Sequence, residues 1–359
     1  MITDFFSLRS NSLRAALLLA LCAGLVPLAA CKKKEEAAAA PAGDQPGEQP
    51  AEEKPKEEPA VELKARWSAG RRMVVQVATH TDTEMSNPAL PQPIKTENFL
   101  TQEFAFTAGP ERPGNGCEVE VEVVSVRSEN KQGGKTTTVF DPKGDPKQDG
   151  KLSPVAPAFR KLVGSKIKYQ TGADGAVTKV DGVPQLQSKL AAGIPLQAQF
   201  MIRTLISEDS IRGWNVLHQN LPTNSVKAGD TWETTREIPF GVARFVLTST
   251  NTFKGWEQRN NKKVAKLETG GIIAPKDGAQ SAVTLGEGAT VSGESWYDPE
   301  LGVIIESTTT ADFSVNVAQA TGQATTSKLK TRTVGKLINA GGPVGGAPAE
   351  PATSPTEKK

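Results

Sequence analysis

The chain has 359 residues, with 42 Lys and Arg against 40 Asp and Glu, two histidines and three cysteines. A formal net charge of +2, with acidic side chains nearly matching the basic ones, gives no nucleic-acid footprint. So few histidines, at His80 and His218, argue against a multi-histidine metal centre or a histidine-based triad unless the fold brings both together.

The N-terminus reads as a secretory signal. Arg9 and Arg14 supply the positive region, and Ala15 to Ala30 form an apolar run shorter than the roughly 20 residues of a membrane-spanning helix. Pro27 breaks the run, and Leu28-Ala29-Ala30-Cys31 follows. These four residues resemble the lipobox of bacterial lipoproteins. The resemblance implies cleavage after Ala30 and a diacylglycerol thioether on Cys31, whereas Cys22 leaves with the signal. Two or three acyl chains anchor stably, since each buried methylene contributes about 0.8 kcal/mol. Lys32 follows in place of the aspartate that marks inner-membrane retention in enterobacteria. The expected location is therefore the cell envelope, at the outer membrane and facing the periplasm. Residues 1–30 are thus read as signal, and removing Asp4, Arg9 and Arg14 leaves 40 basic and 39 acidic side chains.

Residues 31–60 follow as a tether. The stretch after Cys31 carries no aromatic or large aliphatic side chain, and Pro41, Pro46, Pro50, Pro55 and Pro59 punctuate it. Such composition cannot bury enough apolar surface to offset ordering, so a disordered, partly polyproline-like spacer is expected. It would reach about 90 Å if extended and roughly 30 Å as a coil.

Residues 61–338 read as one β-rich domain. Trp67-Ser68-Ala69-Gly70 launches a strand at Arg72–Thr81, and a second spans Thr96 to Thr107. Cys117 to Val126 alternates apolar odd positions with Glu118, Glu120 and Glu122, the pattern of an antiparallel strand with one wet face. Cys117, the remaining thiol, reads as buried and structural. Lys135–Phe140 and Lys166–Thr171 continue the strands, and Asp174-Gly175 is a hairpin signal. The period then changes. Val183-Pro184 starts a helix with Leu186, Leu190 and Ile194 on one face; after Pro195, Leu196, Phe200, Met201, Leu205 and Ile206 suggest a second, and Ser210–Leu217 a short third. Strands return at Thr231–Glu237, Gly241–Lys254, Lys262–Ala274, Gly288–Tyr297, Val303–Val317 and Gln323–Leu337, with a tight turn at Asp298–Gly302. Residues 339–359 form a Gly/Pro/Ala tail.

Ala69-Gly70 before one strand and Ala228-Gly229-Asp230-Thr231-Trp232 before another give two faintly similar halves, 61–182 and 221–338, joined by helices at 183–217. Together with Gly175-Ala176-Val177-Thr178-Lys179-Val180-Asp181-Gly182, these motifs resemble a family of β-rich bacterial envelope proteins of unknown function. The expected fold is mainly β with a central helical insert (α+β): a large curved antiparallel sheet or half-barrel packed on two or three helices. That architecture is also similar to periplasmic lipoprotein carriers, by analogy of fold alone.

Catalytic constellations are weak. Ser165-Lys166-Ile167-Lys168 and Ser327-Lys328-Leu329-Lys330 match Ser-x-x-Lys, yet both read as strands, where positions three apart face opposite sides. Asp141 to Gly150 is acidic and Gly-rich but departs from EF-hand spacing, and reads as an exposed hairpin loop. His80 and His218 read as surface or structural residues. No catalytic residue, metal ligand or cofactor is assigned. The expectation is a membrane-anchored, non-enzymatic binding or interaction module whose partner is an envelope protein or an apolar ligand. The alternatives are a lipid carrier with a half-barrel cavity and a hydrolase using unrecognised carboxylates; the ligand-binding residues and the oligomeric state are left open.

Overall fold

Two-residue alternation governs most of the domain, and it runs further along the chain than the apolar residues alone indicate. The computed structural model describes residues 59–112, 116–240, 243–276, 283–318 and 324–342. The lipobox Leu28–Cys31, the tether up to residue 58 and the tail from residue 343 lie outside them. Thirteen strands follow in order: β1 (Arg72–Ser86), β2 (Ile94–Arg112), β3 (Gly116–Gln132), β4 (Lys135–Phe140), β5 (Lys166–Thr171), β6 (Val177–Asp181), β7 (Thr231–Phe240), β8 (Ala243–Arg259), β9 (Lys262–Pro275), β10 (Val283–Leu285), β11 (Thr290–Asp298), β12 (Val303–Ala318) and β13 (Ala324–Asn339). Five short α-helices interrupt them: α1 (Asp149–Leu152), α2 (Ala156–Leu162), α3 (Val183–Ala191), α4 (Leu196–Leu205) and α5 (Glu208–Arg212). No helix among the described residues is long and apolar enough to cross a membrane.

All strand pairings are antiparallel, and the sheet is not closed. Its main path runs β10-β12-β13-β1-β2-β3-β5-β6, with β11 also on β12 and β4 also on β3. The meander β7-β8-β9 lies beside it, with β9 running along β11. Lys266 Nζ to Glu294 Oε1 at 2.7 Å and Lys262 Nζ to Asp298 Oδ2 at 2.9 Å tie those two strands. At the β6 edge the Arg212 guanidinium donates to the carbonyls of Val177 and Thr178, which occupies acceptors that an added strand would need.

The alternation of β3 shows how side-chain period sets the layers. Cys117, Val119, Val121 and Val123 are buried between outward glutamates. A register shift in the pairing with β2 absorbs Val124, after which Val126 and Ser128 are the buried ones. One core then joins Met73, Val75, Phe104, Phe106 and Val121 of the sheet to residues of α2–α5, among them Leu162, Leu190, Ile202 and Ile211. Burying each phenylalanine contributes about 1.5–3 kcal/mol. A second cluster packs Phe245, Leu247 and Ile273 of the meander on Phe313, Val315 and Leu329. A third seats Leu63 and Val226 against Phe253, Leu267 and Tyr297, where the Tyr297 hydroxyl donates to Lys64 O at 2.6 Å.

Three readings of the sequence need correction. β1 does not end at Thr81 but continues to Ser86, because Thr81, Thr83 and Met85 fill the buried positions as it goes on; His80 therefore sits mid-strand. The buried face of α4 carries Ala198 and Ile202, whereas Leu196 is 78% exposed; the side chains of Phe200 and Met201 lie outside the described set. Asp141–Gly150 is not an exposed hairpin loop. The hairpin is β3–β4, and the segment after Phe140 folds into a 3-10 turn at Pro146–Gln148 and then α1.

The cause of that last departure is Asp149, only 3% exposed. Its carboxylate accepts Arg160 Nε and Nη2, both at 2.9 Å. The same guanidinium donates to Pro142 O at 2.6 Å and Gly144 O at 3.1 Å, and lies 4.9 Å over the Phe140 ring. The acidic loop is thus folded around an internal arginine instead of a cation. Arg160→Ala would strand the Asp149 carboxylate without its partner, and we expect a loss of about 3 kcal/mol in urea unfolding. A loss below about 1 kcal/mol, the range of a surface ion pair, would show that Arg160 is no hub.

Candidate functional site

Register brings small side chains into rows on the inner face of the sheet. Ser295, Ser307, Gly335, Val77 and Gln102 stand side by side across β11, β12, β13, β1 and β2. The next row is Gly293, Thr309, Thr333, Thr79 and Leu100. With glycine, serine and threonine facing inward, the sheet leaves a gap that its neighbours do not fill. The segment after α5 roofs it with Trp214 and Val216, and Trp214 stacks on Phe104 at 4.9 Å with 26° between the rings. The remaining cavity measures about 50 Å³.

The far wall comes from the meander. Asn251 of β8 is fully buried and donates to Thr234 Oγ1 at 3.1 Å, while Thr269 Oγ1 donates to Asn251 Oδ1 at 2.8 Å. Thr234 in turn donates to Asn220 Oδ1 at 3.3 Å, and Trp232 Nε1 to Asn220 O at 3.0 Å. Thr269 and Asn220 both line the cavity, so a chain of uncharged hydrogen bonds fixes its rim. Glu294 is its one ionisable lining residue. Such walls can pack against an apolar group and exchange hydrogen bonds at the rim. They hold no paired acid and base.

The residues singled out in sequence lie elsewhere. Cys117 is a buried free thiol with Thr171 Oγ1 3.4 Å from its sulfur, and burial pushes its pKa up, which suppresses thiolate chemistry. Ser165 donates to Lys161 O at 2.7 Å and accepts from Lys189, not Lys168. Ser327 and Lys330 sit on β13, where one is buried and the other exposed. Neither Ser-x-x-Lys stretch lies on a helix.

The two histidines are far apart in role. His80 stacks on Phe99 of β2 at 4.4 Å. Among the described residues, the one trio with ligand atoms all within 4.8 Å of one another is His80, Asp82 and Glu97. Sequence reading missed it, although His80 and Asp82 share a strand face, because Glu97 joins them only through the β1–β2 register.

His218 is buried, and neither ring nitrogen makes a well-aligned hydrogen bond. It meets Trp67 edge-on at 4.3 Å, beneath the β5–β6 turn. That turn approaches so closely that a Cβ on Gly175, whose φ is +76°, would stand 2.2 Å from Ala65 Cβ. Burial drives the His218 pKa down to about 3, against weaker opposing contributions from backbone at Arg66 and Gly302.

Comparison with known proteins was then informative at one level. Residues 115–304 match the sequence pattern of a family of unknown function, DUF6263. The chain belongs to this family. No curated protein matches it. Among solved structures, DUF6263 protein residues align with lipovitellin, from work on its lipid–protein interactions, over 81% of this chain but 27% of that one, at 10% identity and a TM-score of 0.43. A YmcC-like exported protein of Bacteroides fragilis aligns over 75% of this chain and 98% of that one, at 12% identity and a TM-score of 0.23. A lipoprotein-sorting domain of Vibrio parahaemolyticus gives 71% and 83%, 11% identity and 0.12. The chain thus spans about a quarter of the length of lipovitellin.

The depressed His218 pKa has a signed consequence. The unfolded chain binds a proton near pH 6.5 that the folded chain refuses until about pH 3, so stability is complete above pH 6.5 and falls as pH drops towards 3. Between pH 7.5 and 5 the wild type should lose about 2 kcal/mol more than His218→Leu in paired urea titrations. Parallel pH profiles for the two proteins would refute the assignment.

Proposed function

We propose that this DUF6263 protein is a non-enzymatic binding module of the bacterial cell envelope, held at a membrane through Cys31 and meeting its partner at the cavity beneath Trp214, whose lining carries a single ionisable residue, Glu294. The anchor rests on Leu28-Ala29-Ala30-Cys31 and on the Pro- and Lys/Glu-rich spacer behind it. Lys32 after the cysteine favours the outer membrane, facing the periplasm. The open sheet is read as a half-barrel whose concave side is largely taken up by α2–α5. A non-enzymatic role is favoured by walls that bring together no nucleophile, base and charge-stabilising group.

The observation that carries the reading is the size and lining of the cavity. About 50 Å³ is room for a partner's side chain or the tip of an acyl chain, against the several hundred Å³ of a small-molecule pocket. This ranks an interaction module above a carrier that encloses a whole lipid. Ser307→Phe would place a ring over Gly335, which stands so close that a Cβ added to it would lie 2.8 Å from Ser307 Oγ. Site-specific photocrosslinking from Ser295 at the rim, in membranes holding the full chain, should give one dominant protein adduct that Ser307→Phe removes while the melting temperature is kept. Crosslinking to phospholipid alone, or a bound lipid in native mass spectra, would replace this reading by the carrier. Cys31→Ser should release the protein from the membrane fraction in the same preparation.

A further inference from the structure

The outer face of β1 and β2 carries a feature that the binding-module reading leaves unused. His80 and Asp82 are two residues apart and project from one side of β1, and Glu97 stands directly opposite Asp82 on β2. Two carboxylates facing each other across a pair of strands repel. Lys131 approaches one of them, with Nζ 2.9 and 3.2 Å from the Glu97 oxygens. Lys330 and Arg332, the β13 residues in register with Asp82 and His80, make no ion pair with the trio among the described residues.

The imidazole supplies the second observation. His80 Nε2 lies 3.2 Å from Asp82 Oδ1 and 4.0 Å from Glu97 Oε2. The side chain is 39% exposed, but the Nε2 atom itself is buried and makes no well-aligned hydrogen bond. Its ring is held by the stack on Phe99, 9° from parallel, so the nitrogen is aimed between the two carboxylates and is otherwise idle. We propose that His80, Asp82 and Glu97 form a binding site for a divalent transition-metal ion, with Nε2 and one oxygen of each carboxylate as ligands.

The geometry needs little change. Metal–ligand bonds of about 2.0–2.2 Å in a tetrahedron set ligand atoms about 3.4 Å apart. The ligand atoms here already lie within 4.8 Å of one another, and side-chain rotation on a fixed sheet closes the remainder. Lys131 must swing off Glu97, which its 39% exposure permits. One imidazole and two carboxylates suit zinc, nickel or copper, and leave a position for water. A hard cation such as calcium gains nothing from the nitrogen and lacks the six to eight oxygens it prefers.

The test uses zinc chloride titrated calorimetrically into the full chain after chelator treatment. One zinc should bind per chain, with release of protons to the buffer as the ligands are engaged. His80→Gln should weaken binding at least tenfold, as should Asp82→Asn, while Lys131→Ala should tighten it by removing a competing cation. Copper(II) bound to the full chain should show hyperfine coupling to a single imidazole nitrogen, lost in His80→Gln. Because His80 is half-exposed, the variant should fold, and circular dichroism verifies this. Failure to bind zinc, binding indifferent to His80→Gln, or calcium bound as tightly as zinc would each overturn the proposal.

Discussion

The fold depends on the ladder between β1 and β13. It runs from Val74–Asn339 to Ser86–Thr326 and pairs residues some 250 positions apart in sequence. On one side stands the meander β1-β2-β3 with β5 and β6, on the other β13-β12 with β10 and β11. Without this seam the two would be separate sheets, each with a long unpaired edge. Closing it joins distant ends of the chain, a costly loop closure that pairing must offset, and topologies of this kind fold slowly. The seam is also where the inner face stops being aliphatic. Thr79 pairs with Thr333 and Thr81 with Thr331, their hydroxyls 3.3 and 3.2 Å apart. Threonine satisfies both demands there, since a β-branched side chain suits the strand and a hydroxyl can bond across it in a buried place.

That hydroxyl seam explains why a cavity survives between well-packed regions. Above it, large residues of the sheet meet the helices in the main core; beside it, Phe313 and Leu329 meet the meander. Between the two, Ser307, Gly335 and Thr309 are too short to reach Trp214 or β9. Filling the gap with leucines would add apolar burial and take away the rim held by Asn220, Asn251 and Thr269. The structure retains polar, small residues where packing alone favours large ones, and such departures from the best core are where binding surfaces arise.

Much of the strand order was legible because the signals are local. Lys135–Phe140 and Lys166–Thr171 have their predicted ends, and Asp174-Gly175 turns the β5–β6 hairpin. At the tight turn Asp298–Gly302, the Asp298 carboxylate accepts the amides of Glu300 and Leu301, and Gly302 takes a φ of +70° against Arg66, where a Cβ would clash. The misreadings share one physical cause: partners remote in sequence. Asp149 reads as a loop acid until Arg160 is brought to it. The first strand reads as ending at Thr81 until pairing with β13 buries Thr81 and Thr83. His80, Asp82 and Glu97 are unremarkable until register sets them side by side. The lipobox and the tether lie outside the described residues and are signalled by the sequence itself.

The ends of the ladder have different neighbours, and this orders the molecule. Val61 pairs with Val226 and the chain enters β1 at Arg72, while β13 finishes at Asn339 opposite Val74. The chain therefore enters β1 and leaves β13 at the same end of the seam. The cavity row at Val77 lies about 10 Å along β1 from Val74, and the His80–Asp82–Glu97 trio about 20–26 Å along, at some 3.3 Å per residue. On the proposed reading the anchor at Cys31 pulls through the N-terminal segment, so tension would load the Val61–Val226 bridge and the Tyr297–Lys64 contact before it reaches the ladder. The trio therefore lies toward the far end of the ladder on the outer face, and the cavity lies between on the inner face. On that reading a soluble ion reaches the trio without approach to the membrane, whereas a partner of the cavity must enter nearer the anchored end.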